Sequence, residues 1–217
     1  PRPQAGNPSP RIFRLLEDEA VINRMGFPSK GSEFVQLKLN PSLRSGWFEN
    51  VYGIQPRNKK RKITSIHKGG AMLGINLGKN KETPNEEAVL DYLELLQNFA
   101  AYADYLTINV SSPNTVGLRE LQGRAALESL LTQLHQQRVI EEKKFEKRIP
   151  ILVKLAPDLS TSELDDSIDA ILRTKMDGII VTNTTLSREG LRSSLRGESG
   201  GLSGSPLTAR SEAVLHQ

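Results

Sequence analysis

Cysteine is absent from the 217 residues. That single absence removes disulfides, thiolate metal sites, iron–sulfur ligation and a cysteine nucleophile or base. Histidine is scarce: His67, His135 and His216 lie far apart and none falls in a ligand spacing such as H-E-x-x-H, so no metal centre is expected. No run of eighteen or more apolar residues occurs, and Pro1-Arg2-Pro3-Gln4-Ala5-Gly6 has neither the charged start nor the apolar stretch of a secretory signal. Any membrane attachment has to come from elsewhere.

What is present suits a soluble globular chain. A hydrophobic fraction of 37% and a charged fraction of 25% exclude the disordered and fibrous classes, and the length is enough to bury a core as one domain. The net charge of +4 and a pI near 9.3 raise nucleic acid or membrane as partners. Much of that basicity sits in Arg57-Asn58-Lys59-Lys60-Arg61-Lys62, which has no interleaved aromatic to stack bases. A solvated loop is the ordinary reading of such a block, with weak contact to anionic lipid as the other, and nucleic acid is not expected.

Two unlike parts follow one another. Up to about Gly70, Pro8, Pro10, Pro28, Pro41 and Pro56 interrupt any long periodic element, leaving one short helix at most, around Glu17 to Met25. From Ala71 onward a unit repeats: apolar strand, polar residue at its end, loop, amphipathic helix. The strands are predicted at Met72–Leu77, Tyr105–Val110, Ile151–Leu155 and Gly178–Thr182, each short and apolar as a strand buried on both faces should be. Thr83-Pro84-Asn85-Glu86 has the form of a capping box opening a helix to about Ala103, and Ser160 with Glu163 repeats the device. Leu127, Leu130, Leu131 and Leu134 place one apolar face on a helix spanning Gly123 to about Lys147, and a last helix begins near Pro206.

This alternation means a parallel sheet, open or closed into a barrel. Gly74-Ile75-Asn76-Leu77-Gly78 does not match the G-x-G-x-x-G of an open dinucleotide-binding sheet. Four successive strands instead deliver a polar residue to their C-terminal ends, where a (β/α)8 barrel assembles its active site. A full barrel needs about 250 residues and eight units. The expected architecture is therefore an α/β TIM barrel of which residues 1–217 supply roughly the third to sixth units, as the central part of one domain truncated at both ends.

Each polar cluster has a plain structural reading beside a functional one. Asn109-Val110-Ser111-Ser112-Pro113-Asn114-Thr115 by itself reads as a strand end entering a proline turn. Lys154, inside Ile-Leu-Val-Lys-Leu, is expected to be buried, and lysine is almost never fully buried without a partner. Thr182-Asn183-Thr184-Thr185 can cap a loop or grip a ligand. Gly200-Gly201-Leu202-Ser203-Gly204 reads as a loop whose backbone N–H groups could approach an anion, which is weak evidence alone.

Together these stretches resemble one family. Ile22-Asn23-Arg24-Met25-Gly26-Phe27, Gly74 to Asn80, Asn109 to Thr115, Leu152 to Asp158, Val181 to Thr185 and Gly200 to Gly204 look like the signature blocks of class 2 dihydroorotate dehydrogenases, in family order. Pro3-Gln4-Ala5-Gly6-Asn7-Pro8 also matches. Residues 43–70 depart from the pattern and look like a loop insertion.

The resemblance implies FMN-dependent oxidation of dihydroorotate to orotate in pyrimidine synthesis, with a membrane quinone as electron acceptor and a peripheral membrane location. Ser112 matches the catalytic base, and Thr115 and Phe27 match positions that shape its proton path. Lys154 matches the lysine beside the flavin, where a fixed positive charge favours the reduced ring. Asn76, Asn109, Thr182, Ser203 and Gly204 match cofactor contacts. Asn23, Arg24, Met25, Gly26, Phe27, Asn109, Asn114, Asn183 and Thr184 match the substrate site, asparagine offering donor and acceptor together to a planar amide edge. Class 1 enzymes and the flavin barrel that reduces uridine in transfer RNA use a cysteine base, which this chain lacks. Rival readings are a flavin barrel acting on another substrate and a basic, non-catalytic nucleic-acid-binding fragment. The first two strands, the last two with the FMN-phosphate site and the quinone tunnel are expected outside these residues, so the chain alone is expected to be inactive.

Overall fold

The computed structural model describes residues 1–40, 72–115 and 117–217. The expected insertion at 43–70, with its basic run, lies outside the described residues. The four predicted parallel strands are present in slightly shorter form: β3 (Gly74–Leu77), β4 (Tyr105–Asn109), β5 (Ile151–Lys154) and β6 (Gly178–Ile180), in the spatial order β3-β4-β5-β6. Strands β1 (Ile12–Leu15) and β2 (Ala20–Asn23) precede them in the chain. Each pair is parallel, and the register places Leu77 beside Ile108 and Ile108 beside Val153.

Alternation along these strands sets the two faces. Ile75, Leu77, Leu106, Ile108, Ile151 and Val153 pack into the main apolar core, against helices α2 (Ala88–Phe99), α3 (Arg124–Phe145) and α4 (Thr161–Arg173). From those helices come Tyr92, Leu96, Leu127, Leu131, Leu134, Leu164 and Ile171. Each such side chain contributes about 1.5–3 kcal/mol on full burial. The opposite face carries Gly74, Asn76, Thr107, Asn109, Leu152 and Lys154, and both Gly74 and Asn76 are exposed.

Helix α4 begins as its sequence predicts: Ser160 Oγ accepts from the Glu163 N–H while the Glu163 carboxylate accepts from the Ser160 N–H, a complete capping box. The same device does not form at Thr83. Its hydroxyl accepts from the Arg2 guanidinium at 3.2 Å and its carbonyl from Lys79 Nζ at 2.6 Å. Pro84 is extended, a single 3-10 turn at Asn85–Glu87 leads into α2, and no side chain caps it. That helix also ends at Phe99 rather than Ala103, the chain turning through Ala100–Ala103 on bonds from Tyr102 and Ala103 to the Phe99 carbonyl. Helix α5 (Thr208–His216) follows a 3-10 turn at Ser205–Leu207, where the last helix was expected.

Glu17 to Met25 is not a helix. Residues Leu16–Asp18 form a 3-10 turn, Glu19 adopts a left-handed conformation, and the chain returns as a strand. Thus β1 (Ile12–Leu15) and β2 (Ala20–Asn23) make an antiparallel hairpin with Leu15 opposite Ala20. A helix, α1 (Ser32–Leu39), follows later, where none was expected. Gly200 to Gly204 is likewise not a loop: β7 (Gly201–Gly204) adds to β2, giving a second sheet in the order β1-β2-β7. Phe13, Leu15, Ala20, Ile22, Leu191 and Leu202 form its own small core. A bridge between Thr185 and Leu202 ties this sheet to the segment leaving β6.

Candidate functional site

The C-terminal ends of β4, β5 and β6 meet the small sheet, and most of the predicted polar residues lie at that meeting. Asn109 ends β4 and is nearly fully buried, with its backbone carbonyl held by the Tyr92 hydroxyl at 2.9 Å. Burial pushes that tyrosine hydroxyl well above its ordinary pKa, so it remains a donor. Asn109 Oδ1 accepts from the Ser111 N–H (3.2 Å) and hydroxyl (3.0 Å), and Ser111 Oγ accepts in turn from Asn183 Nδ2 at 2.9 Å. A hydrogen-bond chain therefore fixes the β6 segment against the end of β4. Nδ2 of Asn109 has no partner among the described residues.

Ser112 follows directly and is buried; its Oγ accepts from the Asn114 N–H at 3.2 Å. Asn114 Nδ2 donates to the backbone carbonyl of Asn23 at 3.1 Å and to its side-chain oxygen at 3.4 Å, which draws the end of β2 over the β4 loop. Thr184 has its own N–H on Asn183 Oδ1 at 2.7 Å. Gly201 lies against Thr184 and Pro113, so close that a Cβ would overlap the Thr184 side chain. Glycine is therefore required where β7 crosses the site.

Asn23, Asn109, Ser112, Asn114, Asn183 and Thr184 are thus brought together. Lys154 joins them by register, since it lies opposite Asn109 on the same face. It is half-buried rather than buried, and its ammonium has no hydrogen bond or ion pair among the described residues. Its face is the one turned away from helices α2, α3 and α4. Asn76 stands two strands from Lys154, exposed on the same face. Thr182 instead donates to Ser211 on α5 at 3.4 Å, and Ser203 to the Val21 carbonyl at 3.4 Å. Gly204 has positive φ and sits against Glu19 and Ala20. Thr115 is buried, with no hydrogen bond to Ser112.

The turn from Asn23 to Phe27 is shaped by the opening segment. Asn7 bonds the Arg24 and Met25 carbonyls at 3.0 Å each, and Gln4 Nε2 bonds that of Phe27 at 2.8 Å. Gly26 and Phe27 both have positive φ. Phe27 and Asn76 share the wall of a cleft of about 240 Å³ that does not reach Ser112. The Arg24 guanidinium pairs with Glu198 at 2.7 Å and lies 4.5 Å over the Phe13 ring, so its charge holds the 194–199 segment to the small sheet.

Sequence reasoning missed two residues that the geometry places directly behind this cluster. Arg119 donates to the Ser111 carbonyl (3.0 Å), to Asp158 Oδ2 (2.7 Å) and to the Thr184 carbonyl (2.9 Å). Asp158 also accepts from the Thr185 hydroxyl and the Leu186 N–H. Burial alone would raise the Asp158 pKa, but the bonds from Thr185, Arg119 and Leu186 together bring it below the ordinary carboxylate value. An arginine after one strand and an aspartate after the next are the only signals the sequence offered.

A parallel α/β sheet with its polar groups gathered at the C-terminal strand ends is the active-site plan of a (β/α)8 barrel enzyme. Comparison with known proteins narrows that class: the family described as Dihydroorotate dehydrogenase matches residues 1–217, and the chain belongs to it. The dihydroorotate dehydrogenase (quinone) of Idiomarina loihiensis is 46% identical over 215 residues, covering 99% of this chain and 57% of the relative. That of Alkalilimnicola ehrlichii is 43% identical over 218 residues, covering 100% and 57%. The crystal structure of the Eimeria tenella enzyme in complex with ferulenol superposes with a TM-score of 0.81 at 41% identity, over 99% of this chain and 56% of that one. Its ligand-free form gives 0.79 at 42% identity, over 99% and 58%. The four strand–helix units are accordingly part of a TIM barrel. The chain spans a little over half the length of the relatives it matches. Among the described residues no helix is long and apolar enough to cross a membrane, and no group of acidic and histidine side chains could hold a metal.

Proposed function

We propose that the protein carrying this chain oxidises dihydroorotate to orotate, using FMN and passing the electrons to a membrane quinone. The observation that carries this reading is the joined cluster Asn109, Ser112, Asn114, Asn183 and Asn23, with Lys154 on the same face. The residues suit the cofactor: an exposed amide at Asn76, with an amide nitrogen at Asn109 and an ammonium at Lys154 that have no partner among the described residues, present a polar, positively charged face to an electron-accepting ring. FMN, when bound, supplies the acceptor for the hydride leaving substrate C6.

The chain's own groups do the rest. Asn109, Asn114 and Asn183, with Asn23 and Thr184, orient a planar acid through amides that both donate and accept. Ser112 Oγ takes the proton from substrate C5 as its own hydroxyl proton departs to solvent, so that the oxygen carries partial negative charge during the transfer and ends neutral. A hydroxyl is a weak base unaided, and the Asn114 N–H that already donates to Ser112 Oγ stabilises negative charge developing there. Thr115 and Phe27 line and shape the path by which that hydroxyl proton leaves, without carrying it themselves. Lys154 holds a fixed positive charge where the reduced ring gains electron density. Peripheral attachment to a membrane follows from the quinone as acceptor.

The test is single-turnover flavin reduction in the full-length protein. It should purify yellow, be reduced by dihydroorotate, be reoxidised by a quinone, and show an orotate-dependent flavin spectrum. Ser112→Ala should retain flavin and slow reduction by about 10²- to 10⁴-fold, with Ser112→Cys retaining more activity than alanine. A colourless protein with steeply salt-dependent nucleic-acid binding would overturn the reading, and an orotate-insensitive flavin would point to another substrate.

A further inference from the structure

Arg119 is carried on a 3-10 turn, Leu118–Gln122, whose Leu118 and Leu121 are buried in the main core. Its backbone is therefore anchored, and its guanidinium reaches out from fixed ground. Three acceptors take its N–H groups, and each comes from the segment following a different strand: the Ser111 carbonyl after β4, the Asp158 carboxylate after β5 and the Thr184 carbonyl after β6. The side chains of Arg119 and Asp158 are only 20% and 21% exposed. Asp158 spreads the brace further, accepting from Thr185 and Leu186 and lying 3.7 Å from Arg210 of α5.

Two of these acceptors adjoin the chemistry. Ser111 precedes Ser112, and Thr184 follows Asn183. A planar fork with donors in fixed directions can set three carbonyl and carboxylate positions at once, whereas a lysine ammonium is a compact charge on a flexible stem. We infer that Arg119, held by Asp158, is a positioning residue that fixes the Ser112 hydroxyl relative to the substrate groups Asn183 and Thr184. This rests on the function proposed above. Its action is on geometry alone: the guanidinium is engaged by the Ser111 and Thr184 carbonyls and the Asp158 carboxylate, and it moves no proton.

The quantitative expectation follows from how steeply rate depends on placement, a displacement of about 1 Å being able to cost about 10²-fold. In full-length, flavin-loaded enzyme, Arg119→Lys keeps a charge facing Asp158 but loses the fork. At saturating dihydroorotate its flavin-reduction rate should fall by about 10²-fold, with a much smaller change in the substrate dissociation constant. The decisive arm repeats the substitution in a Ser112→Ala background. If Arg119 works by placing Ser112, the loss should nearly vanish there, because residues acting through one another are not additive. Equal losses in both backgrounds would show a general structural role and overturn the inference, as would an Arg119→Lys enzyme of normal rate. Should Arg119→Lys not fold, Asp158→Asn, which leaves Arg119 in place but removes its anchor, runs the same cycle with the same expected non-additivity. A Ser112→Ala enzyme that is reduced at the normal rate is a different outcome. It removes Ser112 as the base, and with it both the proton step proposed above and the object that Arg119 would position.

Discussion

Asn109 and Lys154 are register partners at the C-terminal ends of adjacent parallel strands, on the face turned away from the helices. One residue ends β4 and the other β5, so each follows an apolar residue that points into the core. Period-two alternation forces the pair to share a face. This places an amide nitrogen and an ammonium, both without a partner among the described residues, on the surface where the proposed flavin would lie.

Lys154→Gln should therefore separate binding from electron transfer. The substitution keeps length and polarity but removes the charge opposing the electron-rich reduced ring. In the full-length enzyme, flavin should still bind, its reduction potential should fall, and reduction by dihydroorotate should slow by about 10²-fold, the usual cost of one missing electrostatic donor. Potentiometry and stopped-flow reduction check the two halves. An unchanged potential would place the lysine charge away from the ring.

The crossing of β7 gives a second test. Gly201 is packed against Thr184 and Pro113 with no room for a Cβ. Gly201→Ala should push β7 away from both the β4 and β6 segments, and overpacking of this kind costs about 1–3 kcal/mol. Orotate titration of the flavin spectrum should show weakened binding, while the helix-facing core, remote from this contact, should keep the circular dichroism unchanged.

These particulars also show what the amino-acid order could and could not tell. The four parallel strands and the Ser160–Glu163 capping box were legible because their signals are local: an apolar run, or two side chains three residues apart. Glu17 to Met25 misled because Ala20–Asn23 becomes a strand only through partners at Ile12–Leu15 and Gly201–Gly204, which its own sequence does not show. Glycines disfavour strands, so β7 read as a loop, although close packing is what demands them there. The Thr83 box failed because Arg2, 81 residues away, claimed the hydroxyl. Arg119 was invisible for the same reason, its three acceptors being separated in sequence and united only by the barrel.

The Asp158 carboxylate makes the brace sensitive to acid. Its folded pKa lies below the ordinary value, because hydrogen bonds from Thr185, Arg119 and Leu186 outweigh its burial. The unfolded chain therefore binds this proton at higher pH than the folded one. The stabilisation is fully present above the ordinary carboxylate value and is lost as pH falls through the depressed folded value. Asp158→Asn should accordingly lower the melting temperature of the full-length protein at neutral pH. The gap from wild type should close on acidification, as pH falls below the ordinary carboxylate value and through the depressed folded one. Thermal unfolding across that range measures it, and a gap constant with pH would show that the carboxylate charge contributes nothing.

The last prediction concerns residues 1–217 expressed by themselves. Strands β3 and β6 end the parallel sheet of the described residues, each paired on one side only, and the face turned away from the helices is only partly covered, with Asn76 exposed and Lys154 half-buried. In a closed barrel that face is filled by side chains from all the strands, and no edge is left unpaired. Two unpaired edges and a partly covered interior favour association with other chains over a single ordered state. Flavin should also bind poorly, because a phosphate is an anchoring dianion that needs a cradle of backbone N–H groups, and β3 to β6 present side-chain amides and one ammonium instead. The purified chain mixed with FMN should show no quenching of flavin fluorescence and no cooperative thermal transition. Stoichiometric quenching with a sharp melt would mean that two copies pair their open edges into a closed barrel, which sedimentation would then reveal as a dimer.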